Sequence, residues 1–354
     1  MIIRADFYII ELPLVNAFSN SQNQLLKRKL GILKLESSTG NMGYGELPLF
    51  EYQGYTKETF EIALSELKCE LRVLLGETSQ LNYTYSTESS GARSCIDMAL
   101  YHLYSLEKSL PLGKILKSRG RAIDAGIVFG LEPIQDIIAK SHEAIKWGYK
   151  RIKLKVDDDS YLERVAKFRE NFREMPLLID GNMAFKSHVI QKLKKLEEFS
   201  ITLIEEPLEK KNFAQYFELK KHLQIPIFAD ESYENFQELK IVIENRVFDG
   251  INLKLCKIGK ISDFRVAYQL AQKYGVKTMI GSMLETSLSK SFHAHFGSWG
   301  HYCSGDLSDW RRYFSKDILE KNLEVLKGKI ELSQRLDVCE EIIRENLVSS
   351  FTLE

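Results

Sequence analysis

The chain has 354 residues, with 49 Lys and Arg against 49 Asp and Glu, so it carries no formal net charge. Its length favours about two domains, and its charge balance argues against nucleic acid or an anionic membrane as the main partner, because both call for a basic excess. Hydrophobic residues make up 44% of the chain, enough for a large core and too many for a disordered polymer.

In chain order, residues 2 to 12 alternate like a strand, residues 30 to 36 form a second, and YGELPL (44–49) a third after the turn STGNMG. This reads as an antiparallel meander. The opening MIIRADFYIIELPL carries Arg4, Asp6 and Glu11, which speaks against a signal peptide. Helical patterns follow from Thr56 to about Leu75 and from Gly91 to Leu106. Together they predict an α+β domain over residues 1–120. Beyond it the rhythm changes to short apolar strands alternating with amphipathic helices. The strands are expected at 122–129, 151–156, 177–180, 202–207, 226–231, 250–255 and 277–282, with a weaker eighth at 304–308. Repeating β/α units of this length predict a modified (β/α)8 TIM-type barrel over 121–325, with residues 326–354 returning to the first domain. No uncharged apolar run approaches the ~18 residues of a membrane helix. The cysteines Cys69, Cys95, Cys256, Cys303 and Cys339 form no C-x-x-C pair and read as free thiols of a reducing cytoplasm. The expectation is a cytoplasmic enzyme with no membrane partner and with room for a homo-oligomer.

Five charged residues fall where consecutive strands end: Lys155, Asp180, Glu205, Asp230 and Lys254, separated by 25, 25, 25 and 24 residues. Strand parity turns them inward. Ile152, Leu154 and Val156 share one face and Lys153 and Lys155 the other, and the same alternation directs Asp180, Asp230, Asn252 and Lys254 into the barrel. Inward charge at the C-terminal rim is where barrel enzymes do chemistry. Three carboxylates converging from adjacent strands would repel unless a cation joins them, and oxygen ligands with open positions suit one Mg²⁺. Lys155 and Lys254 lie four strands apart, hence across the barrel from each other. A lysine beside a metal and a second lysine has its charged form disfavoured and can act as a base. The arrangement suits abstraction of a proton α to a carboxylate, with a small carboxylate as substrate.

At these residues the sequence resembles the enolase superfamily, in its muconate-lactonizing subgroup. The resemblance rests on GYGELP, GARSCIDMALYHL, the K-x-K of RIKLKV, the D-x-N of IDGNM, IEEP, ADES, NLKLCKIGK and GSMLETSLS. It implies Asp180, Glu205 and Asp230 as Mg²⁺ ligands, Lys155 and Lys254 as the acid/base pair, and Lys153 in support. AIKWGYKRIKLKV and DLSDWRRYFSKDI resemble o-succinylbenzoate synthases and N-succinylamino acid racemases. ADES and MLETSLS also resemble dipeptide epimerases. Those epimerases usually carry D-x-D after the last strand to bind the dipeptide ammonium, where this chain reads Asp306-Leu307-Ser308. The resemblance therefore implies an o-succinylbenzoate synthase, with dipeptide epimerase or N-acylamino acid racemase as the alternative. A non-catalytic barrel that binds a small acid is the remaining reading. Asn182, Ser282, Glu285 and Asp306 are expected to contact substrate or the groups around it, and Tyr44–Phe50 and Tyr52–Tyr55 either to close over the site or to pack as a hairpin. Glu206 and Glu231, of opposite parity, are expected in salt bridges. His293, His295 and His301 are read as packed residues and Asp157–Asp159 as a solvated loop.

Overall fold

A computed structural model describes residues 1–19, 24–49, 56–186 and 188–354, with backbone alone at 17–19, 24 and 25. The N-terminal meander forms as β1 (Ile2–Ser19), β2 (Gln24–Ser37) and β3 (Met42–Leu47). Helices α1 (Phe60–Leu74) and α2 (Ser90–Glu107) start at caps written in the sequence, Thr59 accepting from Ile62 N and Ser89 from Ala92 N. Such side-chain oxygens satisfy amides that a helix start leaves free. A short α3 (Leu112–Ile115) ends this part.

The expected strand 122–129 is two strands, β4 (Ala122–Asp124) and β5 (Ile127–Phe129). The break falls at Gly126, where a Cβ would collide with Gly305 O and the Arg151 guanidinium. Six β/α steps follow: α4 (Ile134–Lys146), β6 (Ile152–Lys155), α5 (Tyr161–Asn171), β7 (Leu177–Asp180), α6 (Val189–Lys194), β8 (Ile201–Glu205), α7 (Phe213–His222), β9 (Ile227–Ala229), α8 (Phe236–Glu244), β10 (Gly250–Leu253), α9 (Leu255–Ile258), α10 (Ile261–Tyr274) and β11 (Lys277–Ile280). Strands β5 to β11 form one parallel sheet in sequence order, as a TIM-type barrel requires.

The eighth position is filled without a regular strand. Asp306 N bonds Ile280 O (2.8 Å) on one side, and Leu307 O accepts from Gly126 N (3.0 Å) on the other, so residues 306–307 bridge the two ends of the sheet. Beyond α11 (Ser287–Gly297), β12 (Val325–Leu326) pairs with β13 (Lys329–Glu331), and β13 pairs with β4. After α12 (Glu340–Glu345), β14 (Leu347–Leu353) pairs antiparallel with β1. No helix among the described residues is long and apolar enough to cross a membrane.

The alternation read from the sequence sorts the core. Leu178, Leu203, Phe228 and Met279 form a separate, fully buried cluster, while Ile152, Leu154, Ile179, Ile204, Ile251 and Leu253 join the main core. The first set faces the barrel interior and the second lies under the helices.

Candidate active site

The ladders show how the five charged residues stand. Lys155 pairs with Asp180, and Asp180 with Glu205. Equal spacing in sequence does not keep the remaining rungs level. Glu205 pairs with Phe228, and Phe228 with Gly250, so Asp230 stands two residues beyond Glu205's partner and Lys254 four beyond Gly250. Closing a sheet into a barrel demands such a stagger.

All three carboxyl groups are buried, Glu205 completely, and each has a lysine amine within 3 Å. Lys155 Nζ lies 2.9 Å from Asp180 Oδ2 and Lys254 Nζ 2.6 Å from Asp230 Oδ2. Lys153 Nζ lies 2.9 Å from Glu205 Oε2 and 3.5 Å from Asp180 Oδ2. Burial works against the Lys153 charge, yet Asp306, Glu205 and Asp180 hold its pKa well above the ordinary lysine value. Burial also opposes ionisation of Asp230, but Lys254 and Lys257 overcome it and hold the carboxyl below its usual range. Glu205 goes the other way. Burial pushes it up to about 8, with Asp180, Asp230 and Asp306 adding to the shift and Lys153 opposing it.

As the side chains stand, no three ligating groups among the described residues gather round one point. The donor set nevertheless fits a hard divalent cation. Its oxygens are all carboxylate, they come from adjacent strands, and the crowding that raises Glu205 is what an added cation relieves.

Asn182, two residues past Asp180, accepts from Lys155 Nζ and donates from Nδ2 to Glu231 Oε1 (2.9 Å). It ties the rim of β6 to the loop after β9. Ser282 Oγ donates to Glu285 Oε2 (2.7 Å), and Glu285 is fully buried beside His293. Asp306 is buried as well. Its Oδ1 meets Arg151 Nη2 and its Oδ2 meets Lys153 Nζ, both at 2.6 Å, so both oxygens face cations beneath the rim.

Glu206 is not in the expected salt bridge. It accepts from the amides of Asp230 (2.8 Å) and Ser232 (3.1 Å) and from the hydroxyls of Ser232 and Tyr216, fastening the loop that carries Asp230. The three histidines stand apart: His295 bonds Ser118 and Ser333, and His301 bonds Thr278 and Phe296. Asp157 accepts from Ser160 N at the start of α5. Tyr44 is buried and donates to Glu340 (2.7 Å), as hairpin packing predicts. Phe50 and Tyr52–Tyr55 lie outside the described residues.

Four partners of the site were not foreseen. Arg151 has the parity of Lys153 and Lys155, and extending the pattern two residues back would have found it. Lys257 lies in the short α9 that follows Lys254 and reaches Asp230 Oδ1 (3.2 Å). Arg28 and Glu46 come from the meander. Arg28 bonds the carbonyls of Met283 (3.2 Å) and Leu284 (3.3 Å). Glu46 accepts from Thr286 N (3.0 Å), Thr286 Oγ1 (2.5 Å) and Ser289 N (3.3 Å). Local sequence carries no signal for contacts more than 200 residues apart.

Comparison with known proteins agrees with this architecture. Residues 136–336 match the family model described as enolase C-terminal domain-like. The chain belongs to the enolase superfamily and is an enzyme of that superfamily. It is 27% identical over 355 residues to an o-succinylbenzoate synthase of Bacillus subtilis, covering 97% of this chain and 95% of the relative. It is 28% identical to an N-succinylamino acid racemase of Thermus thermophilus, covering 94% and 93%. The crystal structure of a dipeptide epimerase from Cytophaga hutchinsonii, complexed with Mg and the dipeptide D-Ala-L-Val, shares the fold with a TM-score of 0.88 at 22% identity over the full length of both chains.

Proposed function

We propose that this enzyme removes a proton α to a carboxylate and acts as an o-succinylbenzoate synthase, with Asp180, Glu205 and Asp230 holding one Mg²⁺. In this reading residues 1–120 and 326–354 form a capping unit over a barrel of residues 121–325, and the protein works in the cytoplasm on a small carboxylate. The division is supported by the pairing of β14 with β1.

A cation held by the three acids would draw charge from the substrate carboxylate as the proton leaves. Lys155, oriented by Asp180 and Asn182, takes the α-proton. The resulting anion then expels hydroxide. Lys254 stands across the barrel, steered by Asp230, and stabilises the developing negative charge. Lys153 stays charged among three carboxylates and takes no proton.

One observation carries the choice of substrate. Both oxygens of Asp306 face Arg151 and Lys153, and position 308 is Ser308. The segment that would offer two acids to a dipeptide ammonium has its one acid already engaged, which favours a substrate without a free amine. A second reading, N-succinylamino acid racemase, keeps the same site, with the two lysines exchanging a proton between opposite faces. It is favoured by both lysines reaching the rim on opposite walls.

The test offers the protein with Mg²⁺ the synthase's cyclohexadiene carboxylate and L-Ala-L-Glu side by side. Turnover confined to the cyclohexadiene is expected. Epimerisation of the dipeptide alone would overturn the reading.

A further inference from the structure

Gly281 follows the last residue of β11, and its amide continues the ladder to Leu253 O at 2.9 Å. It is buried, and its backbone lies outside the left-handed region. The glycine is therefore not needed for its conformational freedom. Parity with Met279, in the interior cluster, directs position 281 into the barrel. A Cβ there would lie 2.5 Å from Lys254 Cε, 2.6 Å from Lys254 Cγ and 2.5 Å from Asn252 Oδ1. Such distances lie inside van der Waals contact for carbon, which is about 3.5–4.0 Å. The Lys254 stem occupies the space that any side chain at 281 would take.

We propose that Gly281 is a positioning residue for Lys254: the missing side chain forms the channel along which the lysine reaches Asp230 Oδ2. Asn252 shares the channel and donates to Glu205 Oε1 (2.8 Å). Lys155, on the opposite wall, has no part in it. A methyl group at 281 therefore displaces one lysine and spares the other. The inference rests on the second reading above, the racemase, in which each lysine serves one face of the α-carbon.

The experiment follows exchange of the α-hydrogen for deuterium in (R)- and (S)-N-succinylphenylalanine by NMR, with Mg²⁺ present, in the wild type, Lys254→Ala and Gly281→Ala. Gly281→Ala is expected to slow one enantiomer about 100-fold, the scale of a 1 Å misplacement, and to leave the other within about 2-fold. The slowed enantiomer is the one lost in Lys254→Ala. If Lys254→Ala is face-selective and Gly281→Ala is not, the inference fails. If Lys254→Ala affects both enantiomers alike, or the wild type exchanges neither, the second reading fails. Thermal melts decide the packing claim in every case, including poor folding of Gly281→Ala. Because the clash is with the Lys254 stem, the double variant Lys254→Ala/Gly281→Ala should lose less Tm relative to Lys254→Ala than Gly281→Ala loses relative to the wild type. Equal losses would overturn it.

Discussion

Lys153 Nζ lies 2.6 Å from Asp306 Oδ2 and thereby joins the irregular eighth position of the barrel to the rim of β6. The pair continues to Arg151 on one side and Glu205 on the other, so a chain of alternating charge runs beneath the proposed metal site. Removing Asp306 leaves the buried Arg151 guanidinium without its counter-ion, which typically costs 3–5 kcal/mol. Asp306→Ala should lower the unfolding free energy by about that amount in a guanidinium titration. A loss below about 1 kcal/mol, the range of an exposed ion pair, would show that the chain does not hold the rim.

The two lysines carry different loads. Lys155→Ala should reduce kcat by at least about 100-fold, as loss of a general base does, while far-UV circular dichroism stays that of the wild type. Retained turnover would remove Lys155 from the mechanism.

Binding of a divalent cation stabilises the folded state by mass action, by about 2.7 kcal/mol at a concentration 100 times Kd. Mg²⁺ should therefore raise the Tm of the wild type. Glu205→Gln, which removes one charge from the donor set, should blunt that rise and weaken binding measured by calorimetry. An equal rise in both proteins would place the cation elsewhere.

Glu46 links the meander to the start of α11. Burial pushes its pKa from 4.5 to about 7, with Glu285 and Asp317 adding to the shift and the Thr286 hydrogen bonds opposing it. The folded state then holds a proton that the unfolded state has released. Stability contributed by this group is present below pH 4.5 and falls as pH rises to 7, by about 3 kcal/mol for a shift of that size. Subtracting the pH–stability curve of Glu46→Gln from that of the wild type should expose a decline across this window. A flat difference would contradict the assignment.

Much of this site was legible before the fold was known, for a local reason. Strand parity and one residue per β/α unit are short-range patterns, and they placed Lys153, Lys155, Asp180, Glu205, Asp230 and Lys254 on one inward surface. The stagger of the rungs was not legible, because it belongs to the closed sheet. The break at Gly126 was hidden by a continuous apolar run. The closure by residues 306–307 uses backbone groups of an irregular segment, whose side chains do not alternate like a strand. The engagement of Asp306 by Arg151 and Lys153 joins residues more than 150 positions apart, so the motif identified the acid but not its occupancy.

The most direct test of the central claim is spectrophotometric dehydration of the synthase's cyclohexadiene carboxylate substrate by the purified enzyme with Mg²⁺. Conversion should occur, cease with EDTA, return with added Mg²⁺ and be absent from Lys155→Ala. Absence of conversion in the wild type, or conversion that survives EDTA or Lys155→Ala, would contradict it.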